Sequence, residues 1–541
     1  MSTTTTTPAT APATDETPDP RRWWTLVALC IGLSVISIDN TILNVALPHI
    51  VEDTGAQGSQ LQWIIDAYII VFASLLLTSG SLGDRIGRKR VLTFGLVAFG
   101  GFSALASTVD TPAALIVSRG LMGIGGAAIF PSTLSILTNT FQGRERARAI
   151  GIWAGVAGLG VAIGPLTGGL LLEHFWWGSV FLVNVPICVA ALVMGRFLIR
   201  ETRDPDPGRL DPLGALLSIV GLVGLLYAII EVPDKGWTSP QVIGPGLAGL
   251  AVLVAFALWE AHSDHPMLDV TFFRNPRFSA ASATVTLTYF ALFGSTFLLT
   301  QYFQFVLGYS PLKAGMLTAP VAVGLMGAAP RAPALVERIG TKRVVVIGLA
   351  IVATALLAYG SDTLMSSIPG GVAVRLVFGI GMGFTIAPAT ESIMGSLPRE
   401  RAGVGSAVND TTRQAGGALG VAVIGSIFAA RYHSTIQVPE GVPASGAPAV
   451  RDSIGKALEV GRGLPPDVAA RVHDAASAAF LDGMRTAVIC GAVVIGLAAL
   501  VSWRWLPAQE AAPEPAPGDD RREEMREEAT PLAAVEDGPL V

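Results

Sequence analysis

Ionisable side chains are scarce in this sequence, and a few of them fall where charge is expensive. Asp39, Asp66 and Arg119 each interrupt a long apolar run, and so do Asp410 and Arg413. A charge inside such a run marks an ion or proton path, or else a pair that ties helices together. Burial and a facing arginine push a carboxylate's proton affinity in opposite directions, which can set an acid to take up and release protons. At 1.5 Å per helical residue, Asp39 lies roughly 12 Å, Asp66 about 9 Å and Arg119 about 10 Å from the same end of their runs. The three share a depth and form a candidate proton-coupling set, with a static charge-neutral cluster as the competing reading. Asp410, Arg413 and Gln414 share one helical face at i, i+3 and i+4, with Asn409 beside them. Asn409, Asp410 and Arg413, together with Asn44 of the first run, are candidate cavity residues; a local structural ion pair is the alternative.

A second constellation is GSLGDRIGRKR at 80–90, a charged turn between two apolar runs. Gly80 and Gly83 leave room for a neighbouring helix, and Gly87 permits a tight turn. Asp84 could accept hydrogen bonds from another helix's N-terminus, or pair with Arg88 or Arg144. Gly83, Asp84, Arg85, Gly87 and Arg88 are the residues of this turn that those chemistries single out. A third is GLGVAIGPLTGG at 158–169. Gly160, Gly164 and Gly168 recur every four residues and share a face that lets backbones approach. Pro165 removes a backbone donor and can bend the helix. Helix packing and a functional bend are both open on these residues alone.

Other chemistries find no support in the sequence. It contains no G-x-x-x-x-G-K-[ST] nucleotide loop and no H-E-x-x-H metal motif. His262 and His265 flank Asp264 in a stretch that reads as a solvated loop. Cys30, Cys188 and Cys490 each lie in an apolar run and read as small buried residues. No buried nucleophile–base pair suggests an enzyme, and no cofactor or metal is expected.

The elements that must hold these residues are membrane helices. Of 541 residues, 51% are hydrophobic and 14% charged, far from the quarter charged that soluble domains carry. Apolar runs near twenty residues long recur about fourteen times, the length needed to span a bilayer. Arginine and lysine cluster in alternate loops, at 85–90, 144–148, 200–209, 274–277, 338–343 and 399–401. The positive-inside rule puts those loops and both termini in the cytoplasm.

The chain also repeats itself. DRIGRKR at 84–90 matches ERIGTKR at 337–343, a shift of 337 − 84 = 253; Arg119 matches Arg375, a shift of 256; RERA at 144 matches RERA at 399, a shift of 255. Two similar halves with a site between them are a transporter architecture. The expected organisation is a disordered N-terminus (1–22), a six-helix bundle (23–200), two inserted helices (201–270), a second six-helix bundle (271–506) with an external loop at 432–481, and a disordered acidic tail (507–541). In the second copy Thr341 stands where the first has Arg88.

Four stretches together resemble the major facilitator superfamily, and within it the fourteen-helix drug:proton antiporter branch. They are SIDNTILNVALPHI (37–50), GSLGDRIGRKR (80–90), RGLMGIGGAAIFP (119–131) and GLGVAIGPLTGG (158–169). The resemblance implies an all-α fold of two six-helix bundles plus two inserted helices. It implies a monomeric exporter of small amphipathic compounds in a bacterial cytoplasmic membrane, coupled to protons, with no nucleic-acid partner. It also implies that the fifth helix seals the path against proton leak, and that Gly83, Asp84, Arg85, Gly87 and Arg88 form a cytoplasmic gate whose latch is weaker or lost in the second copy. Export of an endogenous metabolite, lipid or siderophore is the alternative on the same fold, and a membrane-embedded enzyme or sensor a more distant one.

Overall fold

The computed structural model describes residues 20–507 except 55–57, 205–210, 264–265 and 366. The N-terminal twenty or so residues and the acidic tail, expected to be disordered, lie almost wholly outside the described residues, as do Asp264 and His265. Within the described residues there is no strand. The first half comprises α1 (Arg22–Thr54), α2 (Gly58–Ile86), α3 (Arg88–Ala106), α4 (Pro112–Thr140), α5 (Gly143–His174) and α6 (Asn184–Leu198). Then come α7 (Pro212–Lys235) and α8 (Pro240–Glu260). The second half holds α9 (Pro276–Gln301), α10 (Pro311–Ala328), α11 (Thr341–Tyr359), α12 (Ile368–Met394), α13 (Ala402–Thr435) and α14 (Pro466–Trp505). Thirteen spans are long and apolar enough to cross a membrane among the described residues. The remaining helix of the series, α5, is 32 residues long and packs between α1 and α10.

Local sequence explains where the helices start. Proline occupies the first helical position of α4, α7, α9 and α10, where its missing N–H costs nothing. Thr111, Asp211, Asn275 and Ser310 stand just before those prolines and cap them through their side-chain oxygens. Gly87 at φ 118° and Gly340 at φ 86° make the same tight turn in the two halves, a backbone region that side-chain-bearing residues avoid. Pro131 in α4 and Pro388 in α12 repeat at 388 − 131 = 257.

The packing follows the repeat. In the first half α4 lies against α2 and α3, and α1 against α5 and α6. In the second, α12 lies against α10 and α11, while α9 and α13 pair and lean on α14. The halves meet along two seams, α5 on α10 and α2 on α13. The inserted pair α7–α8 attaches through α7, which touches both α2 and α13. Phe94, Phe197, Leu247, Leu258 and Leu500 face outward and exposed, as side chains meeting lipid should.

One boundary differs from the sequence expectation. The linker expected at 432–481 is shorter, because α13 runs to Thr435 and α14 already starts at Pro466. Residues 466–482 are amphipathic rather than apolar, so hydropathy does not flag them. Their helix is stabilised by burying Val468, Val472, Ala476, Ala479 and Phe480 along one face. The linker also carries two short helices, Ala447–Asp452 and Ile454–Arg462.

Candidate functional site

The first cluster joins α1, α4 and α6. Arg119 Nη1 donates to Asp39 Oδ2 at 2.5 Å, and both side chains are fully buried. Asn184 Nδ2 donates to the other carboxylate oxygen at 3.0 Å and to Ser103 Oγ at 3.1 Å. Arg119 Nε donates to the Ile64 carbonyl at 3.2 Å, and its guanidinium lies 4.4 Å from the centre of the Tyr68 ring. The acid is thus neutralised by one cation and held by one amide, while the cation sits on an aromatic face. Asp66 is not part of this network. It is half-buried on α2, and none of the bonds of Asp39 or Arg119 reaches it. Asp39 and Arg119 share more than depth; Asp66 shares only depth.

The other face of α1 meets α5. Thr41 Oγ1 donates to the Gly160 carbonyl at 2.7 Å. A methyl group at Gly160, Gly164 or Gly168 would collide with Ser37, Thr41 or Ile42 respectively. The glycine stripe is therefore a close helix contact, and it seats α1 directly behind the ion pair. The side chains of Pro165 and Asn44 lie outside the described set. A second stripe, absent from the sequence reading, faces the other half: Gly151, Gly155 and Gly158 abut Ala329, Met326 and Leu325 of the α10 region.

The second cluster lies where the two halves meet. Arg413 on α13 is 3.6 Å from Asp410 Oδ1. Asn409 Nδ2 donates to the same oxygen at 3.1 Å, and Thr390 Oγ1 donates to Asn409 Oδ1 at 3.2 Å. Asn409, Asp410 and Arg413 are thus brought together as expected. Their surroundings are new. Arg413 lies 4.9 Å from the ring centre of Phe130, 5.4 Å from Trp153 and 4.6 Å from Tyr289. Phe130 and Trp153 belong to the first half and Tyr289 to the second, so one guanidinium is caged by both.

The third cluster closes the end of the molecule that carries 84–90. Asp84 is buried and accepts four hydrogen bonds. Arg88 gives two of them to Oδ1, at 2.6 Å and 2.9 Å. The other two come across the seam from the first turn of α13, Gly403 N to Oδ1 at 2.9 Å and Val404 N to Oδ2 at 3.0 Å. A helix N-terminus offers free N–H groups and partial positive charge, which suits a carboxylate. Arg88 Nη2 also reaches across to the Glu400 carbonyl at 2.9 Å. Gly80 does admit α13, for a methyl group there would strike Gly403 and Ala407. Gly83 does not: such a group would meet only Arg88, 3.9 Å away. Arg85 lies within electrostatic reach of Arg401, Asp204, Asp211 and Glu260.

The equivalent turn of the second half is built differently. Glu337 pairs at 2.8 Å with Arg144, whose side chain is 85% exposed. Thr341, where the first copy has Arg88, is buried with no partner for its hydroxyl. Arg146 adds a further cross-seam pair, its Nη2 lying 2.6 Å from Glu391.

Two pseudo-repeated helical bundles, a buried ion pair and polar contacts that close one end define a multi-pass secondary transporter. Residues 29–421 match the family model described as Major Facilitator Superfamily. The chain belongs to the Major Facilitator Superfamily and is a membrane transporter, not an enzyme. It is 37% identical over 492 residues to the multidrug efflux pump LfrA of Mycolicibacterium smegmatis, covering 91% of this chain and 97% of that one. It is 32% identical over 510 residues to the tetracenomycin C resistance and export protein of Streptomyces glaucescens, covering 92% and 94%. A riboflavin transporter of Clostridioides difficile, RibZ, is 30% identical over 410 residues, covering 76% and 89%. Among solved structures, the human organic anion transporter MFSD10 shares the fold at a TM-score of 0.61 and 15% identity, over 90% of this chain and all of that one.

Proposed function

We propose that the protein is a proton-coupled antiporter that exports amphipathic drugs or antibiotics across a bacterial cytoplasmic membrane by alternating access. The buried Asp39–Arg119 pair carries this reading. Charges so buried and so fully bonded are costly to keep unless they act. The positive-inside rule assigns the end bearing 84–90 to the cytoplasm, with both termini. In that orientation the conformation described is closed toward the cytoplasm.

Protonating Asp39 would remove its attraction for Arg119 and free α1, which carries Asp39 on one face and packs on the α5 glycines with the other. The proton biases the halves only through a difference in affinity between the two states. Cargo would bind in the central region around Asn409, Asp410 and Arg413. There the rings of Phe130, Trp153 and Tyr289 offer flat apolar faces and Asp410 offers charge. The protein would act as a monomer with protons as its only coupling ion. The efflux-pump relatives support a drug or antibiotic cargo. The riboflavin-transporter relative favours a second reading, export of an endogenous metabolite, which counterflow with candidate cargos would separate.

The test is pH-gradient-driven efflux in proteoliposomes, paired with a drug-susceptibility panel in an efflux-deficient host. Asp39→Asn should abolish gradient dependence while leaving downhill exchange. Unchanged gradient dependence in both Asp39→Asn and Arg119→Ala, with normal expression, would remove the coupling site.

A further inference from the structure

The repeat places Arg375 in α12 where Arg119 stands in α4, and it too is buried, at 2% exposure. The likeness ends at the partner. Among the described residues no carboxylate pairs with Arg375, and its Nε and Nη1 have no hydrogen-bond partner. The helix that corresponds to α1 is α9, and from Pro276 to Gln301 it contains no acidic residue. What surrounds Arg375 is aromatic. Its guanidinium lies 4.4 Å from the ring centre of Phe303, and its titratable neighbours are Tyr302 and Tyr359. The Tyr359 hydroxyl is buried and unpartnered as well. A further cation, Arg485 of α14, donates to the Gly360 carbonyl beside Tyr359 at 3.2 Å.

Arginine cannot escape this position by losing its proton. A buried cation with free donors, within electrostatic reach of a buried free hydroxyl, has every element of an anion site except the anion. Phe303 and Tyr302 belong to a π-helical turn, Tyr302–Val306, that ends α9, and the linker helix Ile454–Arg462 packs over it. Such turns recur at functional sites. Arg375 is seven residues inside α12, about 10 Å from the end where the linker lies.

We propose that Arg375 and Tyr359 bind one small monovalent anion, a halide or a single carboxylate group, in the half of the second bundle that faces the linker. The site is independent of the proton-coupling reading, because no residue is shared with the Asp39 cluster. The anion would supply the negative charge that Asp39 supplies in the first half.

The test uses the purified full-length protein in detergent at fixed pH and ionic strength, with gluconate as the reference anion. Replacing gluconate by chloride, bromide or formate should raise the midpoint of thermal unfolding by a few degrees, saturably. A response to the halides alone assigns an inorganic ion, and one to formate alone assigns a carboxylate group. Tyr359→Phe should weaken half-saturation about tenfold by removing one donor. Arg375→Met should lose the response and, in gluconate, unfold no earlier than wild type, because it deletes an uncompensated charge. Titration calorimetry of the unmodified protein with each anion is the check that needs no variant. The proposal is wrong if Arg375→Met keeps the full response. It is equally wrong if none of the three anions gives either heat or a shift.

Discussion

The two halves share a backbone and differ in what neutralises their charges. Arg119 has an acid, an amide-held network and an aromatic face; among the described residues Arg375 has only the aromatic face. Asp84 is buried in four hydrogen bonds, whereas Glu337 makes one exposed ion pair. The repeat has preserved the residues that set the chain's path, such as Gly87 and Gly340 or Pro131 and Pro388. It has let the partners of the charges diverge. The lesson is that symmetry of fold predicts where a charged residue stands, not what it does there.

That contrast can be broken most directly at the two arginines. Arg119→Ala strands Asp39 in a buried site and should cost about 3–5 kcal/mol. The same change at Arg375, made without a bound anion, should cost far less. Thermal unfolding of both variants in gluconate measures the difference, and equal losses would erase the distinction between the halves. Next in size is Asp84→Asn, which removes charge from bonds worth about 1.5–3 kcal/mol each. It should shift the protein toward opening at the 84–90 end, read by spin-label distances between positions 90 and 274. No change in those distances would take Asp84 out of the gate.

Arg413→Leu sharpens the comparison at the place where the halves meet. It removes ring contacts worth about 0.5–2 kcal/mol, and it leaves Asp410 without its cation. Cargo affinity, measured by fluorescence of a bound aromatic drug, should change with little effect on gradient dependence. An unaltered affinity for every cargo tried would move the binding region elsewhere. The smallest effect is expected at Glu337→Gln, where an exposed pair is worth about 0–1 kcal/mol. Should it open the molecule as far as Asp84→Asn does, the second latch has been undervalued.

Much of this was legible in the sequence because membrane helices advertise themselves. Long apolar runs gave the spans, loop arginines gave the alternation, and repeated motifs gave the two halves. Equal depth was enough to suggest that Asp39 and Arg119 meet. Depth alone could not show that the bonds of that pair bypass Asp66, because it says nothing about which way a helix face points. Asn184 escaped notice as a single amide in an apolar run, though it fixes one oxygen of Asp39. The cage around Arg413 was equally hidden, since Phe130, Trp153 and Tyr289 look like ordinary span residues until three helices converge. Gly151, Gly155 and Gly158 did carry a signal in their spacing, masked by the more familiar stripe further along the same helix. The start of α14 was missed for a physical reason: an amphipathic stretch can be a firm helix without being apolar enough to cross a bilayer.

The attachment of α7 has a consequence for the two seams between the halves. Ala228, Ile229 and Val232 of α7 bury themselves against Ala422 of α13, and Tyr227 stacks on Trp63 of α2. That seam is walled along its flank. Among the described residues the opposite seam, between α5 and α10, has no such cover, and Ile163, Leu166, Val323 and Met326 stand exposed beside it. The two seams therefore differ in the cover on their flanks, an asymmetry that two otherwise similar halves would not impose.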